Sequence, residues 1–259
     1  MEFENIIYSS EGGIATIQLN RPQAFNALNS GINKDVLAAL ELVKNDSSVR
    51  VLIVTGNEKA FAAGADIKEM ADATPNYARS FCSAAVEINN TLEAMPIPTI
   101  AAVNGFALGG GCEMAIACDF RVGGYKSKFG LPEVSLGIIP GACGTQRMIP
   151  LVGLAKTREM VMLNTIVKGE EALNIGLINR LVDDAEVYNE AVNLAKELMK
   201  KPAMALAAAK TAINTGALKS LEDGKIVERN EFALLFDTHD QKEGMAAQLE
   251  KREPVFTNN

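Results

Sequence analysis

Two glycine-rich segments, each following an apolar run, are the first places where this chain could do chemistry. One is Lys59-Ala60-Phe61-Ala62-Ala63-Gly64-Ala65-Asp66-Ile67-Lys68 and the other Asn104-Gly105-Phe106-Ala107-Leu108-Gly109-Gly110-Gly111-Cys112-Glu113. Three consecutive glycines are costly to order and forgo packing, so the return is close backbone approach to something else. Cys112 to Cys118 is apolar and helix-compatible. The glycines then sit at a helix N-terminus, where unpaired N–H groups carry partial positive charge. Such amides can hydrogen-bond an oxygen that gains negative charge during a reaction, which is half of an oxyanion hole. A tight strand-to-helix turn fits the same spacing, and neither segment matches G-x-G-x-x-G or the phosphate-loop pattern.

Two carboxylates stand beside these turns in apolar company: Glu113, and Glu133 within Gly130-Leu131-Pro132-Glu133-Val134-Ser135-Leu136-Gly137. A carboxylate without polar neighbours is suited to general acid or base work, because burial moves its protonation toward neutral pH. Each also has a structural reading: Glu113 compensates a helix dipole, and Glu133 opens a helical turn after Pro132. Other catalytic sets are poorly supplied. The single histidine, His239, excludes a multi-histidine metal site and is read as a surface or interface residue. Cys82, Cys112, Cys118 and Cys143 show no C-x-x-C spacing, so no metal site is expected.

The elements that must position these groups follow from periodicity. Gly13–Leu19, Val51–Thr55 and Pro98–Val103 are β-branched or apolar runs closed by breakers, and read as strands. Between them, 33–43 and 77–95 carry helical period. Alternation of strands and helices predicts an α/β core. Beyond it the pattern turns helical: Val187 to Leu198 is amphipathic and stopped by Pro202, Ala203 to Asn214 is expected to end at Gly216, and Ser220-Leu221-Glu222-Asp223 resembles a capping box. Residues 1–195 are therefore read as mixed α/β and 196–259 as helical.

The 259 residues suffice for one domain with a closed core, and 48% hydrophobic content argues against disorder. A net charge of −7 leaves no electrostatic footprint for nucleic acid. Met1-Glu2-Phe3-Glu4 lacks the features of a signal peptide. Ala94 to Cys112 holds no charge over 19 residues, but Pro96, Pro98, Asn104 and four glycines break it. A buried strand and turn is the better reading than a membrane span. With sparse cysteine, the expected location is the cytoplasm.

The segments 60–66, 101–113 and 129–133, with Pro140-Gly141-Ala142-Cys143-Gly144-Thr145-Gln146-Arg147, resemble the crotonase (enoyl-CoA hydratase/isomerase) family. Arg21-Pro22 with Asn26-Ala27-Leu28, and Asp240-Gln241-Lys242-Glu243-Gly244-Met245, extend the likeness over nearly the whole chain. Within the family it is most similar to bacterial short-chain enoyl-CoA hydratases and 3-hydroxybutyryl-CoA dehydratases. The resemblance implies a spiral of repeated ββα units over 1–195 and a helical C-terminal region over 196–259 that assembles trimers or dimers of trimers. It implies an enzyme that reversibly hydrates short-chain 2-enoyl-CoA in β-oxidation or butyrate-type fermentation, with no cofactor beyond the coenzyme A of the substrate.

Carried over residue by residue, the backbone N–H groups of Ala65 and Gly110 form the oxyanion hole, and Glu113 and Glu133 hold and activate one water. Asp66, Ile67 and Lys68 line the nucleotide end of coenzyme A, and Phe232 and Lys251 contribute to that site, in some relatives from a neighbouring subunit. Lys68 also reads as a solvated helix residue. Two departures stand out: Gln248 occupies a place often aromatic, and Cys143 interrupts the usual Gly-Ala-Gly-Gly run. The rival readings are an enoyl-CoA isomerase or a hydratase of a branched or cyclic enoyl-CoA, and, from another class, a non-catalytic or RNA-binding relative.

Overall fold

The β-branched runs form strands where the sequence predicts them. In the computed structural model, which describes residues 2–218 and 220–259, β1 (Ile6–Glu11) and β2 (Ile14–Leu19) pair as an antiparallel hairpin. They lead to α1 (Ser30–Asn45), capped by the Asn29 side chain. Next come β3 (Val51–Thr55), β4 (Ala60–Ala62), the single turn α2 (Ile67–Met70) and α3 (Pro75–Ala94). The following unit is β5 (Thr99–Val103), β6 (Phe106–Leu108) and α4 (Gly110–Ala117). A third adds β7 (Phe120–Gly124), β8 (Lys128–Gly130), a 3-10 turn over Pro132–Leu136 and α5 (Gly144–Met162).

The strands of successive units stack in register in two sheets. Six strands run in the order β1-β2-β3-β5-β7-β10, with β10 at Arg180–Val182, and four in the order β4-β6-β8-β9, with β9 at Val167–Lys168. Apart from the β1–β2 hairpin and the β8–β9 edge pair, neighbours are parallel. β1 and β2 both join the six-stranded sheet, whereas from β3 to β8 each unit gives one strand to each sheet and then a helix, the spiral of ββα repeats that the resemblance implies. Parallel strands covered on both faces read as unbroken apolar runs. In β3, Leu52 and Val54 enter the main core while Val51 and Ile53 enter a second cluster under α7 (Val187–Met199).

α7 spans residue 195 and buries Val187, Ala191, Leu194 and Ala195 against the six-stranded sheet. After α6 (Gly169–Asn174) and α7 the chain is helical: α8 (Ala203–Leu218), α9 (Leu221–Leu234) and α10 (His239–Glu250). Ser220 caps α9 by accepting from the Asp223 amide at 3.2 Å, as the capping-box pattern predicts. Gly216 does not end its helix; α8 runs through it. The glycine serves a crossing instead, because a Cβ on Gly224 of α9 would stand 2.9 Å from the Gly216 Cα. The segment 94–112 is β5, β6 and the start of α4, and no helix among the described residues is long and apolar enough to cross a membrane.

Candidate active site

The first glycine-rich segment is fixed by residues far upstream. Leu28 N–H donates to the Gly64 carbonyl (2.7 Å) and Asp66 N–H to the Leu28 carbonyl (2.8 Å), bracketing Ala65 in a parallel bridge. In such a bridge the bracketed residue turns its own N–H to the other side, and among the described residues the Ala65 amide has no acceptor. Arg21 holds the next residue, both of its Nη atoms lying 3.1 Å from Asp66 Oδ2, and it donates to the Ala27 carbonyl. Buried Asn26 accepts from the Arg21 amide and donates to the carbonyls of Ala60 and Phe61. The Arg21-Pro22 and Asn26-Ala27-Leu28 motifs are thus a clamp on the loop that carries Ala65.

The second segment turns sharply into α4. Gly109 adopts φ 49°, ψ −126°, a region that side chains exclude. Its N–H donates to the Gly130 carbonyl (2.9 Å), and its carbonyl receives the Glu113 amide at 2.9 Å. Gly110 opens the helix, and its own N–H is left without an acceptor among the described residues. A Cβ on Gly111 would lie 2.2 Å from the Ala62 carbonyl oxygen, and one on Gly109 3.6 Å from the Gly64 Cα. The absence of side chains therefore lets the two loops meet and brings both free amides to one place.

Both glutamates close on this turn. A Cβ built on Gly109 would stand 3.0 Å from Glu133 Oε1, and one on Gly110 4.0 Å from Glu113 Oε2. Their surroundings differ. Glu113 is 2% exposed, and its Oε1 accepts from the amides of Ala142 (2.8 Å) and Gly144 (2.7 Å). Burial pushes its pKa up, and those two amides and the Arg147 guanidinium pull it back. Glu133 sits on the 3-10 turn at 9% exposure, with no partner for Oε2 among the described residues. Burial raises it to about 7, opposed by its own amide and reinforced by the charge of Glu113.

Ala65, Gly110, Glu113 and Glu133 all line one cavity of about 590 Å³. Its other walls are largely apolar and include Phe81, Cys82 and Ala85 of α3, within the 77–95 stretch, together with Ile138 and Ile139. Ile67 borders it, but Lys68 is exposed and not on the wall. Asp66 spends its carboxylate on Arg21 and on capping α2. Phe232 and Lys251 lie in the C-terminal helical region away from the cavity wall, Phe232 being 62% exposed and Lys251 ending α10. His239 is exposed. Among the described residues no group of three or more His, Cys, Asp or Glu is arranged to hold a metal ion.

Sequence reasoning missed the Ala142 and Gly144 amides, whose donors are main chain and carry no side-chain signature. It also missed Asn33, a buried residue of α1 that borders the cavity with neither polar side-chain atom partnered among the described residues. Its place in an amphipathic helix, on the face that carries Ile32 and Val36, was the available signal.

Residues 9–259 match the family model described as enoyl-CoA hydratase/isomerase. The chain is 42% identical to a crotonyl-CoA hydratase of Syntrophomonas wolfei, covering 99% of each protein. It is likewise 42% identical to a short-chain-enoyl-CoA hydratase of Clostridium acetobutylicum, covering 97% of each. The crystal structure of an enoyl-CoA hydratase from Bacillus anthracis superposes with a TM-score of 0.94 at 34% identity, over 99% of this chain and all of that one.

Proposed function

The chain belongs to the enoyl-CoA hydratase/isomerase family, and from that premise we propose that it reversibly hydrates short-chain 2-enoyl-CoA to 3-hydroxyacyl-CoA, of the crotonyl-CoA and 3-hydroxybutyryl-CoA type. The thioester carbonyl lies between the N–H groups of Ala65 and Gly110. Their pull on its oxygen makes the β-carbon electrophilic and stabilises the enolate, each donor being worth about 3–4 kcal/mol in the transition state. Glu113, its carboxylate held by two amides against the cost of its burial, takes a proton from water as the water oxygen bonds the β-carbon. The π pair moves toward the thioester oxygen, and Glu133, protonated near neutral pH, delivers its proton to the α-carbon. Proton exchange with solvent resets the pair, and dehydration is the reverse.

The observation that carries this reading is the contrast between the carboxyls across the Gly109-Gly110 turn, one held by two amides and the other with an unpartnered oxygen. Glu113→Gln and Glu133→Gln should each lower crotonyl-CoA hydration by about 10²–10⁴-fold, the usual contribution of a positioned acid or base. Binding of a non-reactive acyl-CoA should persist in both. Near-normal turnover in either variant would defeat the assignment.

Lys68, Phe232 and Lys251 belong in this reading to the coenzyme A end of the site, with Asp66 and Ile67 shaping its rim. Phe232 and Lys251 come from a neighbouring copy, in a trimer or dimer of trimers formed through 196–259, with α7 joining that region to the catalytic core over 1–195. Free thiols on all four cysteines suit the cytoplasm. The chemistry calls on no cofactor beyond the coenzyme A of the substrate. Beside the rival reading of a branched or cyclic enoyl-CoA, one observation favours a polar-substituted one: the Asn33 side-chain amide at the cavity edge has no partner among the described residues and would meet a polar substituent. A rate series over 2-enoyl-CoA substrates of rising length, with branched and hydroxylated members, separates the two.

A further inference from the structure

We propose that Arg147 is a positioning residue for Glu113, acting through the carbonyl of Ala142. The inference rests on the reading of Glu113 as general base. Arg147 stands in the first turn of α5, in the Gly144-Thr145-Gln146-Arg147 motif, and is only 7% exposed. Its Nη1 donates to the Ala142 carbonyl (3.3 Å), and its Nη2 to Asn90 Oδ1 (2.7 Å) and Glu93 Oε2 (2.8 Å) of α3. Asn89 Nδ2 of α3 donates to the same Ala142 carbonyl at 3.1 Å. The N–H of Ala142 in turn donates to Glu113 Oε1. One residue is thus gripped at its carbonyl by two side chains while its amide aims at the base.

The grip has a local reason. Cys143, between the two amides that hold Glu113, sits at φ 71°, ψ 20°, a left-handed conformation that a residue with a Cβ keeps only when its surroundings enforce it. Fixing the carbonyl before Cys143 holds the amides of Ala142 and Gly144 converged on one oxygen. A planar guanidinium reaches three acceptors on two elements at once, which an ammonium on a flexible stem cannot reproduce with the same geometry. The titratable and charged groups that face Glu113 are Cys112 on α4, Cys82 on α3, Glu133 on the 3-10 turn and Arg147; the last is the cation among them. Arg147 therefore also favours the ionised base, with its own charge partly engaged by Glu93.

Steady-state kinetics of crotonyl-CoA hydration against pH test this. In Arg147→Gln, kcat should fall about 100-fold, the scale of an ångström-sized misplacement, with KM little changed. The acid limb of kcat/KM should move to higher pH, because Glu113 then keeps its proton longer. Arg147→Lys should leave that limb in place but recover only part of kcat. Asn89→Ala, which removes the other grip and no charge, should lower kcat without moving the limb, and it decides the matter if Arg147→Gln does not fold. A lowered melting temperature with kcat and the limb unchanged in Arg147→Gln, or wild-type kcat in both Arg147→Lys and Asn89→Ala, would overturn the proposal. Glu113→Gln run alongside separates the two failures: if that variant stays active, the base assignment is wrong, and if it is inactive while the Arg147 variants are normal, only the positioning role is.

Discussion

A carboxylate gains from every amide pointed at it and loses from every water removed, so Glu113 and Glu133 diverge although they share a cavity. Burial raises both, but Glu113 has the amides of Ala142 and Gly144 on one oxygen, whereas Glu133 has the nearby charge of Glu113 and an Oε2 without a partner among the described residues. With Glu133 raised to about 7, hydration should fall as pH rises through that value and the acid loses its proton. A pH profile of kcat/KM for crotonyl-CoA should therefore show an alkaline limb near neutrality, absent from the residual activity of Glu133→Gln. The same shift acts on stability. A carboxyl raised from 4.5 to about 7 on folding gives stability that is full below 4.5 and lost as pH climbs through about 7. Glu133→Gln removes that loss, so its melting temperature relative to wild type should be higher at pH 8 than at pH 4, read by calorimetry at both values. Both carboxyls were legible in the sequence from their apolar neighbours. Their division of labour was not, because it depends on amides 29 and 31 positions away from Glu113 along the chain.

The loops that carry the free amides are short, and their geometry is imposed by neighbours. Arg21 ties Asp66 to the Ala27 carbonyl, while the Ala65 bridge to Leu28 sets the direction of the donor. Arg21→Met keeps much of the side-chain volume but releases Asp66, so the Ala65 amide loses its fixed aim. We expect kcat to fall by roughly 10–100-fold, since small errors in placement are costly, while the protein stays folded by circular dichroism. An unchanged kcat would show that the bridge alone suffices. The strands were readable because fully covered parallel strands leave unbroken apolar runs, as in Val51–Thr55. α8 was misjudged at Gly216 because glycine also marks close helix crossings, and only the facing Gly224 distinguishes that use from a terminator. The role of Arg21-Pro22 and Asn26-Ala27-Leu28 as a clamp was equally hidden, since their partners lie in a different repeat of the spiral.

Across the whole molecule, the C-terminal helices are anchored to the core at a few polar points and leave much apolar surface outside. Lys210 of α8 pairs with Asp119 (2.8 Å) and donates to the carbonyls of Leu92 and Ile97, and Asn214 donates to the Glu93 carbonyl. Beyond these, Leu221, Leu234 and Leu249 are 71%, 68% and 84% exposed, alongside Phe232. Fully burying such a side chain is worth about 1.5–3 kcal/mol, so several together favour self-association, the kind of assembly that the family resemblance implies. The proposed trimer or dimer of trimers should appear in sedimentation velocity at micromolar protein. Leu234→Glu with Leu249→Glu should shift it toward monomer, because each change buries a charge in the contact instead of an apolar group. If Phe232 and Lys251 serve a neighbour's coenzyme A site, the dissociated form should show a KM for crotonyl-CoA raised about tenfold or more, the 1.4 kcal/mol scale of one good contact, while kcat, which the proposed mechanism assigns to Glu113 and Glu133 of one chain, changes less. A wild-type monomer, or dissociation with KM untouched, would remove the neighbour from the site and leave each chain to bind its substrate alone.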